Sequence, residues 1–291
     1  MDFKNFKTCY KNFLAGIPLR RFQNPDPIVS VLRFNGIIGK VGPFGSGMTL
    51  ASLDKYIEKA FSSSRVKTVA LVINSPGGSP VQSGMISRRI RELSDEKDIP
   101  VIAFAEDVAA SGGYWLACSA NEIYADENSL IGSIGVISSG FGFNQAIERL
   151  GIERRVHTVG KKKGMMDPFQ PENQEDIKTL KEIQKEIHES FKKRVLESRG
   201  EKLLKTKIPL FEGEIWTGKR AEALGLVDGI GDMRAVMRKI HGDRVKYRFI
   251  SFRSNPIKRV FGGSNESKER MKILSAFSVL EEWAVWKRFG L

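Results

Sequence analysis

Ile99-Pro-Val-Ile-Ala-Phe104 runs straight into Ala105-Glu-Asp-Val-Ala-Ala-Ser-Gly-Gly-Tyr-Trp-Leu-Ala-Cys118. The first six residues have the short, continuous apolar character of a strand buried on both faces. Ser111-Gly112-Gly113, with Tyr114-Trp115-Leu116-Ala117 following at once, reads as a strand passing through a turn into a buried helix. That places Ser111 at a helix N-terminus, where unpaired N–H groups and the positive end of the dipole favour developing negative charge. By itself the serine is equally an N-cap. The paired glycines leave room for another stretch of backbone to approach closely.

Working outward, Val66–Asn74 is a second apolar run, and it ends in Ser75-Pro-Gly-Gly-Ser79. Residues 28–39 read as the first strand, with a glycine-rich loop at 42–47. Helices are expected from about Thr49 to Phe61 and along the stripe Val81, Met85, Ile86, Ile90, Leu93. Further β segments are expected at Glu122–Ala125, Ile131–Ile137 and Arg155–Val159. A long helix striped by Ile177, Leu180, Ile183, Ile187, Phe191 and Val195 stops at Gly200, and a compact unit over Ile215–Asp228 holds a helix closed by Gly225. Strands alternating with helices imply an α/β fold, a parallel sheet with flanking helices, in which ligands meet the carboxyl ends of the strands. Both glycine pairs lie at such ends.

The expected organisation is a basic amphipathic N-terminal helix over 1–24, a core over 25–240, and a basic tail over 241–291 that ends in an amphipathic helix. The first of these carries Phe3, Phe6, Tyr10, Phe13, Leu14 and Ile17 at helical spacing, with Lys4, Lys7 and Lys11 elsewhere; it could lie on an anionic bilayer or dock on protein. Lysine plus arginine (47) exceed aspartate plus glutamate (34) by 13. That balance admits nucleic acid, an anionic membrane or acidic substrates, but no nucleic-acid reader motif accompanies it, so no nucleic-acid partner is expected. Cys9 and Cys118 form no disulfide framework or metal pattern, which suits a reducing compartment. No stretch reaches the roughly 18 apolar residues of a membrane span. The protein is therefore expected in the cytoplasm or peripherally on the cytoplasmic membrane.

A serine nucleophile needs a base and an oxyanion site. Gly78 and Gly112 offer backbone N–H donors for the second. For the first, the chain has three histidines, His157, His188 and His241, none in a telling context. The alternative is a desolvated lysine. Lys161, Lys162 and Lys163 follow a β segment and precede Met165-Met166, an apolar neighbourhood.

In order along the chain, Asn74-Ser-Pro-Gly-Gly78, Ala110-Ser-Gly-Gly-Tyr114, Gly132-Ser-Ile-Gly-Val136, Gly160-x-x-Lys163 and Thr217-Gly-x-x-Ala221-x-x-Leu-Gly-Leu-Val-Asp228 resemble the signal peptide peptidase A family of serine peptidases, over about residues 28–240. The resemblance implies a Clp-protease and crotonase-like α/β core and a Ser/Lys dyad. Carried over by motif, Ser111 matches the nucleophile, Lys163 the general base, Ser133 the serine that orients the lysine amine, and Gly78 and Gly112 the oxyanion donors. It also implies peptide substrates such as cleaved signal peptides and a ring-like homo-oligomer, in which the dyad is either shared between neighbours or complete in one chain; no metal or cofactor is expected. The chain resembles a short, single-copy form. Two other readings use the same features: a crotonase-like acyl-CoA enzyme, and a non-catalytic scaffold on the membrane surface.

Overall fold

A computed structural model describes residues 25–39, 47–203, 208–251 and 283–290. The N-terminal segment 1–24 and most of the 42–47 loop lie outside the described residues.

The sheet is built on four central strands: β1 (Ile28–Asn35), β2 (Val66–Ser75), β3 (Val101–Ala110) and β5 (Leu130–Gly132). The edge strands are β6 (Ile215–Thr217) beside β5 and β8 (Lys246–Ile250) beside β1, giving the order β6-β5-β3-β2-β1-β8. Two short strands, β4 (Glu122–Ala125) and β7 (Gly229–Ile230), branch from β3. Every pairing is parallel except β5 with β6. β3 forks the sheet: Ile102–Ala105 pair with β4, and Val108–Ala110 pair with β5.

Seven helices lie between β1 and β8: α1 (Leu50–Phe61), α2 (Pro80–Lys97), α3 (Gly112–Ala117), α4 (Asn144–Arg149), α5 (Gln174–Arg199), α6 (Gly218–Ala223) and α7 (Met233–His241). Thr49 and Ser52 cap α1 reciprocally, and Ser79 caps α2 ahead of Pro80, whose missing N–H costs nothing at a first helical position. One face of the sheet (Leu32, Phe34, Leu71, Ile73, Val101, Ala103, Ala109) is covered by α1, α2, α3 and α5. On the other face α7 lays Val236 and Met237 over Val29, Val31, Ala70, Val72, Ile102 and Phe104. With both faces covered, interior strands such as β2 are apolar almost throughout.

The structure corrects several expectations. The strand beginning near Ile99 continues to Ala110, through Glu106 and Asp107, which a short apolar run does not announce. The first strand stops at Asn35, because Gly36 turns the chain at φ 101°. β5 ends at Gly132, so 133–137 carry no strand. Arg155–Val159 form no strand: the segment is exposed and has no sheet neighbour to take its hydrogen bonds. α4 was not anticipated, being short and without a buried residue. The sheet also takes in 246–250, beyond the expected core boundary at 240, because β8 pairs with β1 from Ile28↔Lys246 to Leu32↔Ile250. Of the expected C-terminal helix, 283–287 are helical, and Phe289 buries against Val108 and Ala110 of β3.

Candidate active site

At the carboxyl end of the sheet, β2 and β3 part through a bulge. Ile73 pairs with Ala105 but Ser75 pairs with Ala109, so three residues of β3 stand opposite Asn74. The Asn74 side chain fills that gap, its Nδ2 donating to Asp107 Oδ2 (2.7 Å) while its Oδ1 accepts from the Val108 N–H (3.3 Å). Glu106 turns outward to Arg33 (2.9 Å). Both carboxylates are thus occupied on the strand, away from the serine turn. A bulge of this kind re-aims a strand end.

The re-aimed end delivers Ser111 as the N-terminal flank of α3, with φ 51° and ψ −121°. A non-glycine residue at positive φ is strained and persists only where its surroundings hold it. Here the Ser111 N–H donates to Gly132 O (2.8 Å), and α3 behind it is buried along its whole length. Ser111 makes no side-chain cap to the helix. Its hydroxyl is not spent on the N-cap role.

The Ser75–Gly78 turn meets this serine directly. A Cβ placed on Gly77, where φ is 106°, would lie 2.7 Å from Ser111 Cβ and 2.8 Å from Gly112 N. A Cβ on Gly112 would lie 3.3 Å from Gly78 N and would collide with Ser83 Oγ. Gly78, at φ 138°, is pressed on Ile38 backbone, to which Ser79 N–H and the Gly77 carbonyl are bonded. The glycines are therefore required by close backbone approach, and the Gly78 and Gly112 amides are brought side by side. Gly112 opens α3, so its N–H has no intrahelical acceptor.

Ser133 follows the very residue that accepts from Ser111. It too has φ 51°, is 4% exposed, and donates its N–H to Glu214 O (2.6 Å). The next carbonyl, Ile134 O, lies 3.2 Å from His188 Nε2 on α5. Ser111 and Ser133 are thus joined through Gly132.

Lys163 is placed differently. It lies in a turn closed by its own N–H on Gly160 O (3.1 Å), and its ammonium has no hydrogen bond or ion pair among the described residues. The desolvation expected from Met165 and Met166 is not supplied within one chain, since Lys163 and Met166 are exposed. Lys162, its neighbour, donates to Thr179 Oγ1 on α5 (2.9 Å).

The other titratable candidates have structural places. His241 Nε2 meets Thr68 Oγ1 (2.8 Å), and burial together with Lys67 lowers its pKa. His157 is exposed. Burial pushes the Cys118 thiol up to about 11, which keeps it protonated and inert. Among the described residues no cluster of His, Cys, Asp or Glu could hold a metal ion, and no helix is long and apolar enough to cross a membrane.

Two supports were not read from the sequence. Tyr114 OH donates to Leu226 O (2.7 Å), tying α3 to the turn after α6. That turn is pinned by Arg199, 1% exposed, which donates to Gly225 O and pairs with Asp228. An arginine in a helical stripe that faces the core was the available signal.

Comparison with known proteins follows the same stretch of chain. The chain is 44% identical over 281 residues to the Na(+)/H(+) antiporter NhaA of Brucella abortus, covering 94% of this chain and 38% of that protein. It is 31% identical over 238 residues to the chloroplastic serine protease SPPA of Arabidopsis thaliana (80% of this chain, 34% of the relative) and 34% identical over 241 residues to protease 4 of Haemophilus influenzae (79% and 37%). The chain thus spans little more than a third of the length of these relatives. The family model for peptidase family S49 matches residues 94–245, a stretch that holds Ser111, Ser133 and Lys163 and runs from the end of α2 to the start of β8. With more than half of its length inside that match, the serine turn and the Gly112-Gly113 pair included, the chain belongs to peptidase family S49, the signal peptide peptidase A family.

Proposed function

We propose that the chain is a serine endopeptidase acting on short, extended, apolar peptides such as cleaved signal peptides, through a Ser111/Lys163 dyad and an acyl-enzyme. The observation that carries this reading is the meeting of the Gly77–Gly78 turn with Ser111–Gly112. It sets two backbone amides beside a strained, uncapped serine. In the proposed cycle, neutral Lys163, oriented by Ser133, takes the Ser111 proton as Oγ attacks the peptide carbonyl. The oxyanion rests on the Gly78 and Gly112 N–H groups, and Lys163 returns the proton to the leaving amine. Water, deprotonated by the same amine, then releases the acyl group and restores Ser111.

Because Lys163 is exposed in one chain, the drying of its amine is assigned to a neighbouring copy in a ring-like homo-oligomer. The segment around it supports this: Ile137, Phe141, Leu150, Ile152, Val156 and Val159 all stand exposed. Isolated protomers rarely leave so much apolar surface uncovered. The antiporter activity named for the Brucella relative is not assigned to this chain, which spans 38% of that protein.

The test is hydrolysis of a fluorogenic peptide by wild type, Ser111→Ala and Lys163→Ala, with assembly size measured for each. Loss in both variants at unchanged size supports the dyad; turnover in both overturns it and favours the acyl-CoA or scaffold reading. Mixing the two inactive variants reports on sharing. Activity regained after subunit exchange means that serine and lysine come from different copies, and none regained means that they come from one.

A further inference from the structure

We propose that His188 is a positioning residue for this site, holding the Ser133 turn from α5. The inference rests on the Ser/Lys reading and adds a member that acts through Ser133. His188, Phe191, Val195 and Arg199 recur at three- and four-residue spacing and share one stripe of α5. The last three are buried, and they fix the register of the helix: Phe191 stacks on Trp115 of α3 at 4.8 Å, and Arg199 holds the Gly225–Asp228 turn. From the intervening turn Arg194 donates to Cys118 O at the end of α3. His188 is the polar end of that stripe, and the register delivers its Nε2 to Ile134 O.

The Ser133 turn needs such a hold. β5 contributes only three residues before it, no regular structure follows until α4, and Ser133 itself sits at φ 51°. A strained residue stays in place when it is gripped on both sides. On one side the Ser133 N–H is bonded to Glu214 O; on the other, His188 holds the carbonyl of Ile134. The same helix bonds the lysine turn through Thr179 and Lys162. A single rigid element therefore touches the nucleophile helix, the Ser133 turn and the loop bearing Lys163.

The chemistry of the contact defines the role. A carbonyl oxygen only accepts, so His188 donates from Nε2. The N–H at Nε2 is therefore the part of the ring that the contact uses. A histidine base works instead through an unprotonated ring nitrogen, which protonation abolishes.

The experiment compares His188→Leu, His188→Gln and wild type as the full-length chain, reading kcat, KM, the pH profile, melting temperature and assembly size with a fluorogenic peptide, and Ser111→Ala as control. The glutamine amide can place an N–H where Nε2 stood, and leucine cannot. The expected result is a kcat lower by about 10²-fold in His188→Leu with KM little changed, in line with the cost of a misplacement of about 1 Å. His188→Gln is expected to restore kcat to within a few-fold, with the wild-type pH profile. Should His188→Leu not fold, His188→Asn, whose shorter amide stops short of the carbonyl, takes its place with the same expectation. Wild-type kcat in His188→Leu, or in His188→Asn if that variant has taken its place, overturns the proposal. So does a glutamine variant as slow as leucine or asparagine, and so does loss of the acid limb of the profile in His188→Gln. If Ser111→Ala still turns over, it is the dyad reading that has failed. A dead Ser111→Ala beside a fully active His188→Leu removes His188 alone.

Discussion

At the scale of single residues, the site is governed by what fits between two turns of backbone. Gly112 has room for a hydrogen but not for a methyl group, because a Cβ there collides with Ser83 Oγ and crowds Gly78 N at 3.3 Å. Gly112→Ala is expected to lower kcat for a peptide substrate by about 10²–10³-fold, the size of losing one oxyanion donor. Removing the obstructing hydroxyl in Gly112→Ala/Ser83→Ala should recover part of that loss, since the glycine itself has ordinary helical φ. Gly77→Ala should find no such partner, because its φ of 106° and the 2.8 Å approach of its added Cβ to Gly112 N are set by the backbone. Steady-state kinetics on the three variants checks this. A double variant no better than Gly112→Ala would show that the crowding at Gly78, and not Ser83, sets the limit.

At the scale of elements, α5 and the turn after α6 brace α3, the helix behind Ser111, through a buried charge. Burial pushes the Asp228 carboxyl up, but hydrogen bonds from Arg199, Lys202 and the Ile123 N–H outweigh it and hold the group below its ordinary pKa. With the folded-state value depressed, the pair stabilises the fold at neutral pH, and that contribution is lost as pH falls through the folded pKa. Asp228→Asn leaves Arg199 charged and buried, and should destabilise by about 3–5 kcal/mol. Thermal melts across acid pH should show wild type losing stability more steeply than the variant; parallel curves would refute the linkage. Legibility also divides by element. β2 and α5 were readable because burial leaves a continuous apolar run in one and a 3.6-residue stripe in the other. The turn at Ser111 was readable from its glycines. The upper half of β3 was not, because Glu106 and Asp107 sit in a bulge whose partners, Arg33 and Asn74, are remote in sequence. Nor was β8: Lys-Tyr-Arg-Phe-Ile is an edge strand, half polar, in a basic context. Arg155–Val159 shows the converse, a strand-like pattern with no edge to join. The lysine site is legible only as a motif, because one chain does not enclose it.

At the scale of the whole molecule, the exposed apolar residues between Ile137 and Val159 are the surface on which the proposed assembly rests. Val159, 98% exposed, lies four residues before Lys163. Val159→Asp and Phe141→Asp should shift the sedimenting species toward monomer and reduce peptide hydrolysis together, with the melting of the core unchanged. Full activity in a monomeric variant would disprove a shared site. The forked sheet has a further consequence, for synthesis. The Gly77 turn, Ser111 and Gly132 lie at the ends of parallel strands joined by crossovers, Glu214 comes in just ahead of β6, which joins β5 antiparallel from far along the chain, and pairing between segments so distant in sequence forms late and slowly in folding. A chain still emerging from the ribosome, lacking β6 and the residue before it, has no Glu214 carbonyl to hold the Ser133 turn, and so lacks the geometry on which the proposed hydrolysis depends. On the proposed Ser/Lys reading the topology acts as a timing device, since the cutting geometry arises only after the last of these distant segments has joined the sheet.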